Sequence, residues 1–269
     1  MPSLEELEHH LSRLGRVLLG YSGGVDSALL AVVAARVLGS HRFLAAIGRS
    51  ASYPEAQLQV ALDLARRFDV PLAQLDTREL DDPRYVANAP DRCYFCKSEL
   101  WTRLGALARV RGFEVIIDGT NADDLGEHRP GLKAAEVHKI RSPLLELGWR
   151  KADVRTAARS LGIPTWAAPA APCLSSRVQY GLEVTPERLR QVEAGEAFLR
   201  SLGVTGDLRV RHHGSTARVE TAPDQHDQLG GCWDRVSEAF VRLGFADVVL
   251  DPRGYRRGGL LTILADARG

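Results

Sequence analysis

The apolar positions in the first half of the chain follow two alternating periods. Residues 16–21 (RVLLGY), 42–48 (RFLAAIG), PLAQLDT and 113–119 (FEVIIDG) are short apolar runs of strand length. Between them the spacing predicts helices. Residues 26–38 are rich in Ala, Leu and Val. Residues 54–68 bring Leu58, Ala61, Leu62, Ala65 and Phe68 to one face, and a further helix is expected near 98–110. Strands and helices in this rhythm predict a parallel sheet covered on both faces. Ligands of such sheets sit beyond the carboxyl ends of the strands, so the loops after residues 21, 48 and 119 are expected to converge.

The pattern continues with a helix over 151–161, whose Val154, Ala157, Ala158 and Leu161 share a side and which ends at Gly162 ahead of Pro164. Residues 165–172 are rich in Ala and Pro and read as a linker or an active-site loop. Beyond them come a helix over 186–202, then DLRVRHH and TARVETA around the turn residues Gly214 and Ser215, which predict a hairpin. A helix near 224–243 and the strands ADVVL and LLTIL complete the chain. The fold class is α/β: a parallel-sheet domain over 1–170 and a smaller C-terminal α/β domain over 171–269.

Composition narrows the function. The 269 residues are 45% hydrophobic and 26% charged, enough for one full core and a second small one. With 35 basic and 34 acidic residues the net charge is +1, which supplies no overall field for nucleic acid but is compatible with local arginine clusters for a small anion. The charged, amphipathic start MPSLEELEHHLSRL has no apolar stretch of signal-peptide or membrane-span length, so no membrane role and a cytoplasmic location are expected. In that compartment four cysteines do not make a disulfide scaffold, so their positions matter. Cys93 and Cys96 form a CxxC and Cys173 stands in APCLSSR, all three read as loop positions. Cys232, in GGCWDRV near a helix start, reads as structural.

The sharpest chemistry is in LLGYSGGVDSALL. A strand enters Ser22-Gly23-Gly24-Val25-Asp26-Ser27 and a helix begins at once. Two glycines allow close backbone approach to an anion, and the N–H groups of the helix N-terminus bind it. The loop matches neither GxxxxGK[ST] nor GxGxxG. SGGxDS at such a junction is the signature of the PP-loop family, whose members cleave ATP between the α and β phosphates. Ser22, Gly23, Gly24, Asp26 and Ser27 are thus candidate ATP-binding residues. A second stretch, DGTNADDLGEHRPGLKAAEV, follows the strand at 113–119 and adds Gly119, Thr120 and Asp124. Asp123 and Asp124 are candidates to orient Mg²⁺ against pyrophosphate, with an acidic N-terminal cap as the alternative.

In the last third, Leu189, Val192 and Leu199 mark a helix face with Glu196 in its middle and Glu193 at its margin. A carboxylate at such a position needs a partner or a task. On DLRVRHH the alternation turns Leu208 and Val210 inward and puts Arg209 and Arg211 together on the other face, as a phosphate clamp or as a solvated face. His212 and His213, beside the turn, read as surface residues.

SGGVDS, the CxxC, GTNADDLGEHRPGLKAAE and PCLSSR, in this order, resemble the LarE sulfur transferases over about the first two thirds of the chain and more loosely beyond. The resemblance implies an enzyme that adenylates a carboxylate of a nicotinic-acid-derived pyridinium mononucleotide and converts it to a thiocarboxylate for a nickel-pincer nucleotide cofactor. It also implies that Cys173 attacks the acyl-adenylate, a reaction that suits a thiolate with AMP as leaving group and Arg177 four residues on. In one subgroup that cysteine gives up its own sulfur. Cys93, Cys96 and Cys173 instead resemble the three-cysteine subgroup, which binds a 4Fe–4S cluster and is refilled by sulfide or another sulfur donor. Zinc or a bare redox CxxC are the alternatives. Relatives are trimers or hexamers, so a homo-oligomer is expected. Competing readings are tRNA 2-thiolation, a nucleotide-sensing module, and an ammonia-using ligase, which needs no cysteine.

Overall fold

The computed structural model describes residues 2–125, 130–169 and 171–256. They fall into two compact units. One comprises Met1–Ser50, Glu55–Glu79 and Cys93–Ala171, the other Ala51–Pro54, Leu80–Arg92 and Pro172–Gly269. The second unit thus draws two short segments from the half of the sequence that reads as a continuous strand and helix alternation.

The first unit opens with α1 (Leu4–Ser12), started by a capping box between Ser3 and Glu6. Then follow β1 (Val17–Gly20), α2 (Val25–Arg42), β2 (Phe43–Arg49), α3 (Glu55–Arg67) and β3 (Leu72–Asp76). After the chain has passed through the second unit, where α4 (Pro83–Val86) lies, α5 (Arg92–Arg111) and β4 (Val115–Ile117) resume the alternation. The unit ends with α6 (Pro130–Val137), α7 (Pro143–Glu146) and α8 (Lys151–Ser160). The four strands form one parallel sheet in the order β3-β2-β1-β4. Val17 is in register with Phe43 on one side and Val115 on the other. Leu18, Leu19, Ala45, Ala46 and Ile47 are fully buried, as expected of strands covered on both faces. The strand order reverses at β1, so the crevice beyond the carboxyl ends of β1 and β4 is the topological switch point of the sheet.

In the second unit α9 (Pro186–Ser201) precedes β5 (Leu208–His213) and β6 (Thr216–Thr221), an antiparallel hairpin turned at Gly214 with φ +71°. β7 (Asp247–Leu250) pairs parallel to β6. The single helix expected near 224–243 is two helices, α10 (His226–Gly230) and α11 (Trp233–Arg242), separated at Gly231-Cys232, where a glycine pair weakens the helix. Val210, Val219, Leu229, Val236, Phe240 and Leu199 are among the residues of its core. Gly195 of α9 packs closely there, and a Cβ would lie 3.0 Å from the Phe240 ring, which would have to shift to admit it. The expected strand LLTIL lies outside the described residues. No described helix is long and apolar enough to cross a membrane.

β5 is not an open edge. Val178 bridges to His212, and the Gln179 N–H donates to the His212 carbonyl. Residues 208–212 of the strand are also buried on both faces, and His212 is 3% exposed rather than a surface residue. His212 Nε2 lies 2.9 Å from Gln191 Oε1, and His213 Nδ1 lies 2.7 Å from Gln179 Oε1. Burial first, then the Arg188 charge, pulls His212 down to about 4. Burial first, then Arg218 and Arg211, pulls His213 down to about 4.

Both imidazoles are neutral in the folded unit at pH 7, whereas an unfolded histidine titrates near pH 6.5. Below about pH 6.5 the unfolded chain binds protons that the folded chain does not, so this stabilisation is complete above that value and is lost as pH falls toward 4. Thermal melts followed by circular dichroism should show a midpoint that drops steadily from about pH 6.5 to about pH 4.5, with a shallower drop in His212→Gln.

Candidate functional site

In the first unit the apolar run of β1 ends at Gly20, packed so closely on Trp101 that a Cβ would fall 2.7 Å from the indole. The chain then turns through Gly23, whose φ is +69° and whose missing Cβ leaves room for Ala61. Gly24 is the N-cap of α2 and has no side chain to accept from the first N–H groups of the helix, a duty that a bound anion can take over. Ser27, 4% exposed, braces the loop: its hydroxyl accepts from the Ser22 N–H at 3.2 Å and donates to the Gly24 carbonyl at 3.1 Å. Gly119, after β4, presses against this helix start, and a Cβ there would lie 2.9 Å from the Ser27 nitrogen. The loops after β1 and β4 therefore meet, as the sheet topology requires.

The remaining polar residues of this crevice divide into supports and exposed groups. Asp118 accepts from the Thr120 N–H and hydroxyl and from the Ser142 hydroxyl, so Thr120 serves the turn. Asp124 accepts from the Asn121 N–H in a capping box, and Asp123 accepts from the Lys151 N–H at the start of α8 at 2.9 Å. Both acids are thus engaged as caps. The carboxylate on the phosphate loop is Asp26, which accepts from the Asn121 amide at 3.1 Å and from the Lys151 ammonium at 2.5 Å. Asn121 and Lys151 escaped the sequence reading. Lys151 begins a helix 125 positions after Asp26, and no local pattern links the two.

Cys93 and Cys96 also differ from the expected loop placement. They lie in the first turn of α5, which starts at Arg92, several residues before the apolar pattern suggests. Their i, i+3 spacing puts both thiols on one face of that helix. All four cysteines are thiols and none is in a disulfide. Among the described residues, no three His, Cys, Asp or Glu side chains are gathered so as to hold a metal ion.

In the second unit, Cys173 precedes a single 3₁₀ turn, Leu174–Arg177. The Leu174 N–H donates to the Ser52 carbonyl at 2.8 Å, and the Ser175 and Tyr85 hydroxyls are 2.5 Å apart. Both partners belong to the segments borrowed from the first half of the sequence. Asn88 reinforces them: fully buried with φ +53°, its amide donates to the carbonyls of Gln179 and Leu182, each at 2.9 Å.

Arg177 is 4% exposed and does not reach outward. It donates to the carbonyls of Pro172 and Cys173, on either side of the nucleophile candidate. Its other nitrogens meet Glu196 at 2.9 and 3.2 Å. Glu196 also accepts from the Val210 N–H, so this half-buried carboxylate has the partner that its helix position demanded. Glu193 is half-buried beside it.

Arg209 and Arg211 lie on a buried face, each 6% exposed, because β5 is covered on both sides. Arg211 is paired with Glu220 at 2.8 Å and donates to the Ser176 carbonyl. Arg209 lies 4.9 Å over the Tyr255 ring and donates to the Leu208 carbonyl. Burial first, then the Arg177 charge, lowers the affinity of its guanidinium for its proton. Cys232 caps α11 and packs at the edge of the apolar core, a structural position.

The NAD synthase family profile matches residues 5–103, the part that carries the phosphate loop. Similarity to the glutamine-dependent NAD(+) synthetase of Rhodobacter capsulatus is 44% identity, limited to 80 residues that cover 29% of this chain and 14% of that enzyme. An uncharacterized protein of Synechocystis is 41% identical over 263 residues, 97% of both chains. The pyridinium-3,5-bisthiocarboxylic acid mononucleotide synthase of Lactiplantibacillus plantarum is 34% identical over 258 residues, 96% of this chain and 93% of that one. With likeness to that synthase running through both compact units, the chain belongs to the LarE family of ATP-dependent sulfur transferases, within the PP-loop ATP-pyrophosphatases.

Proposed function

We propose that the chain adenylates a carboxylate of a pyridinium mononucleotide and replaces one carboxylate oxygen with sulfur, on the way to a nickel-pincer nucleotide cofactor. The observation that carries this reading is the glycine-lined start of α2 with Asp26 at its mouth, in a chain 34% identical to a synthase of such a mononucleotide. A substrate carboxylate oxygen bonds to the α-phosphorus of ATP, and the bridging oxygen leaves with pyrophosphate. A sulfur nucleophile then bonds to the acyl carbon, and the C–O bond to AMP breaks. Ser22, Gly23, Gly24, Ser27 and Gly119 shape the phosphate cradle, and Thr120 and Asp124 hold the loop that closes it. Asp26, on the phosphate loop itself, is the first carboxylate suited to Mg²⁺, with Asp123 and Asp124, each capping through one oxygen, as the further candidates to orient it.

In this reading the turn that Arg177 and Glu196 hold in place would present Cys173 as a thiolate ligand that keeps its own sulfur, and the sulfur that bonds to the acyl carbon would come from external sulfide. Arg209 and Arg211 take the phosphate of the mononucleotide, their burial strengthening an ionic contact. The three thiols of Cys93, Cys96 and Cys173 are a soft donor set that suits a 4Fe–4S cluster bound at three corners, and such a cluster supplies a site where external sulfide can be carried.

Cys173→Ala should abolish thiolation while ATP affinity stays within about twofold of wild type, read by product mass spectrometry and calorimetry. Retained thiolation would remove Cys173 from the mechanism. Asp26→Ala should slow substrate-dependent pyrophosphate release by on the order of 100-fold. Unchanged release would sink the ATP-pyrophosphatase assignment of this loop. Anaerobically reconstituted protein should hold about four irons and absorb broadly near 400 nm, and Cys93→Ala should lose both signals. Zinc without iron, or a single turnover that strips roughly 34 Da from Cys173, would return the chain to the sacrificial subgroup.

A further inference from the structure

The contact between Lys151 and the phosphate loop has no role in the function described so far. Lys151 is the first residue of α8, after the extended N-cap Arg150. A cation there opposes the helix dipole, which favours acidic residues in the first turn. Its backbone is fixed to the second loop of the crevice: the Lys151 N–H donates to Asp123, and the Ala122 N–H donates to the Trp149 carbonyl at 2.8 Å. Its side chain extends to Asp26 at 2.5 Å. A position unfavourable for the helix is therefore occupied by a lysine whose ammonium lies at the phosphate cradle.

The exposure of the pair indicates how it can work. The Lys151 side chain is 39% exposed and that of Asp26 19%, so the contact is hydrated. An ion pair of this kind is worth about 1 kcal/mol or less. It is a poor strut and an easy contact to exchange. Asp26 alone would repel a polyphosphate. Once a divalent cation occupies the carboxylate, the ammonium loses its partner while several phosphate oxygens arrive within reach of a flexible four-carbon stem.

We propose that Lys151 is a catalytic residue that changes partner, resting on Asp26 in the ATP-free protein and binding the departing pyrophosphate once a divalent cation has taken that carboxylate. The bond from the α-phosphorus to its bridging oxygen breaks, the oxygen keeps the electron pair, and the ammonium meets the charge that develops there. No proton or electron carrier is needed. The assignment rests on the reading of the α2 loop as the ATP site.

The test is calorimetric titration of inorganic pyrophosphate and of ATP into the full chain, with and without Mg²⁺. With Mg²⁺, Lys151→Met should weaken pyrophosphate binding by roughly tenfold or more, and Lys151→Arg, which keeps the charge, by no more than about threefold. Without Mg²⁺, Asp26→Asn should bind pyrophosphate more tightly than wild type, and adding Lys151→Met should cancel that gain. Melting temperatures of the five proteins separate a binding effect from a folding one, because a purely structural lysine would lower the melting point of Lys151→Met without a selective loss of pyrophosphate. If wild type binds neither ATP nor pyrophosphate, the ATP reading of the loop fails and Lys151 with it. If wild type binds both and Lys151→Met binds pyrophosphate within about twofold of it, the loop reading stands and the partner exchange is overturned.

Discussion

The first unit is organised around one constraint, that the opening N–H groups of α2 need an acceptor. A helix N-terminus ordinarily obtains one from a Ser, Thr, Asp or Asn cap. Here Gly24 holds that position and supplies none. The surroundings suit an anion as the acceptor. Gly23 lets the chain turn tightly, Gly119 lets the neighbouring loop come within contact of the Ser27 nitrogen, and Ser27 spends its hydroxyl on Ser22 and Gly24. The strand order places this helix start at the switch point of the sheet, where ligands of parallel sheets bind.

The second unit solves a different problem, that of holding a small side chain, Cys173, on an irregular stretch of backbone. A turn of four residues cannot fix Cys173 by its own hydrogen bonds. Carbonyls on both sides of the cysteine are gripped by Arg177, whose charge is balanced by Glu196, which in turn is tied to the backbone of β5. Arginine suits this work because its planar fork serves several acceptors at once. The same economy governs Arg211, which spans Glu220 and the Ser176 carbonyl.

Most of the first unit was legible because its strands are continuous apolar runs and its phosphate loop is a local motif. The positions that escaped depend on neighbours far along the chain. Nothing near Lys151 announces Asp26, and nothing near Tyr85 or Asn88 announces Ser175 or Leu182. The start of α5 was hidden because Cys93, Tyr94, Phe95 and Cys96 give no contrast between apolar and polar faces. The alternation of β5 leaves Arg209 and Arg211 as a phosphate clamp or a solvated face, and the nearby turn suggests a surface for His212; neither local signal reveals that all three are buried. Glu196 was the opposite case. A charge amid an apolar stripe signals a buried partner, and Arg177 is that partner.

The interleaving of the two units along the chain limits how such an enzyme can be divided or recombined. Because Ala51–Pro54 and Leu80–Arg92 belong to the second unit, no single cut yields both units whole. A fragment beginning at Pro172 would keep the cysteine turn but lose the Ser52 carbonyl, the Tyr85 hydroxyl and the Asn88 amide that tie that segment down. Transplanting the second unit would therefore require moving three separate stretches of sequence together.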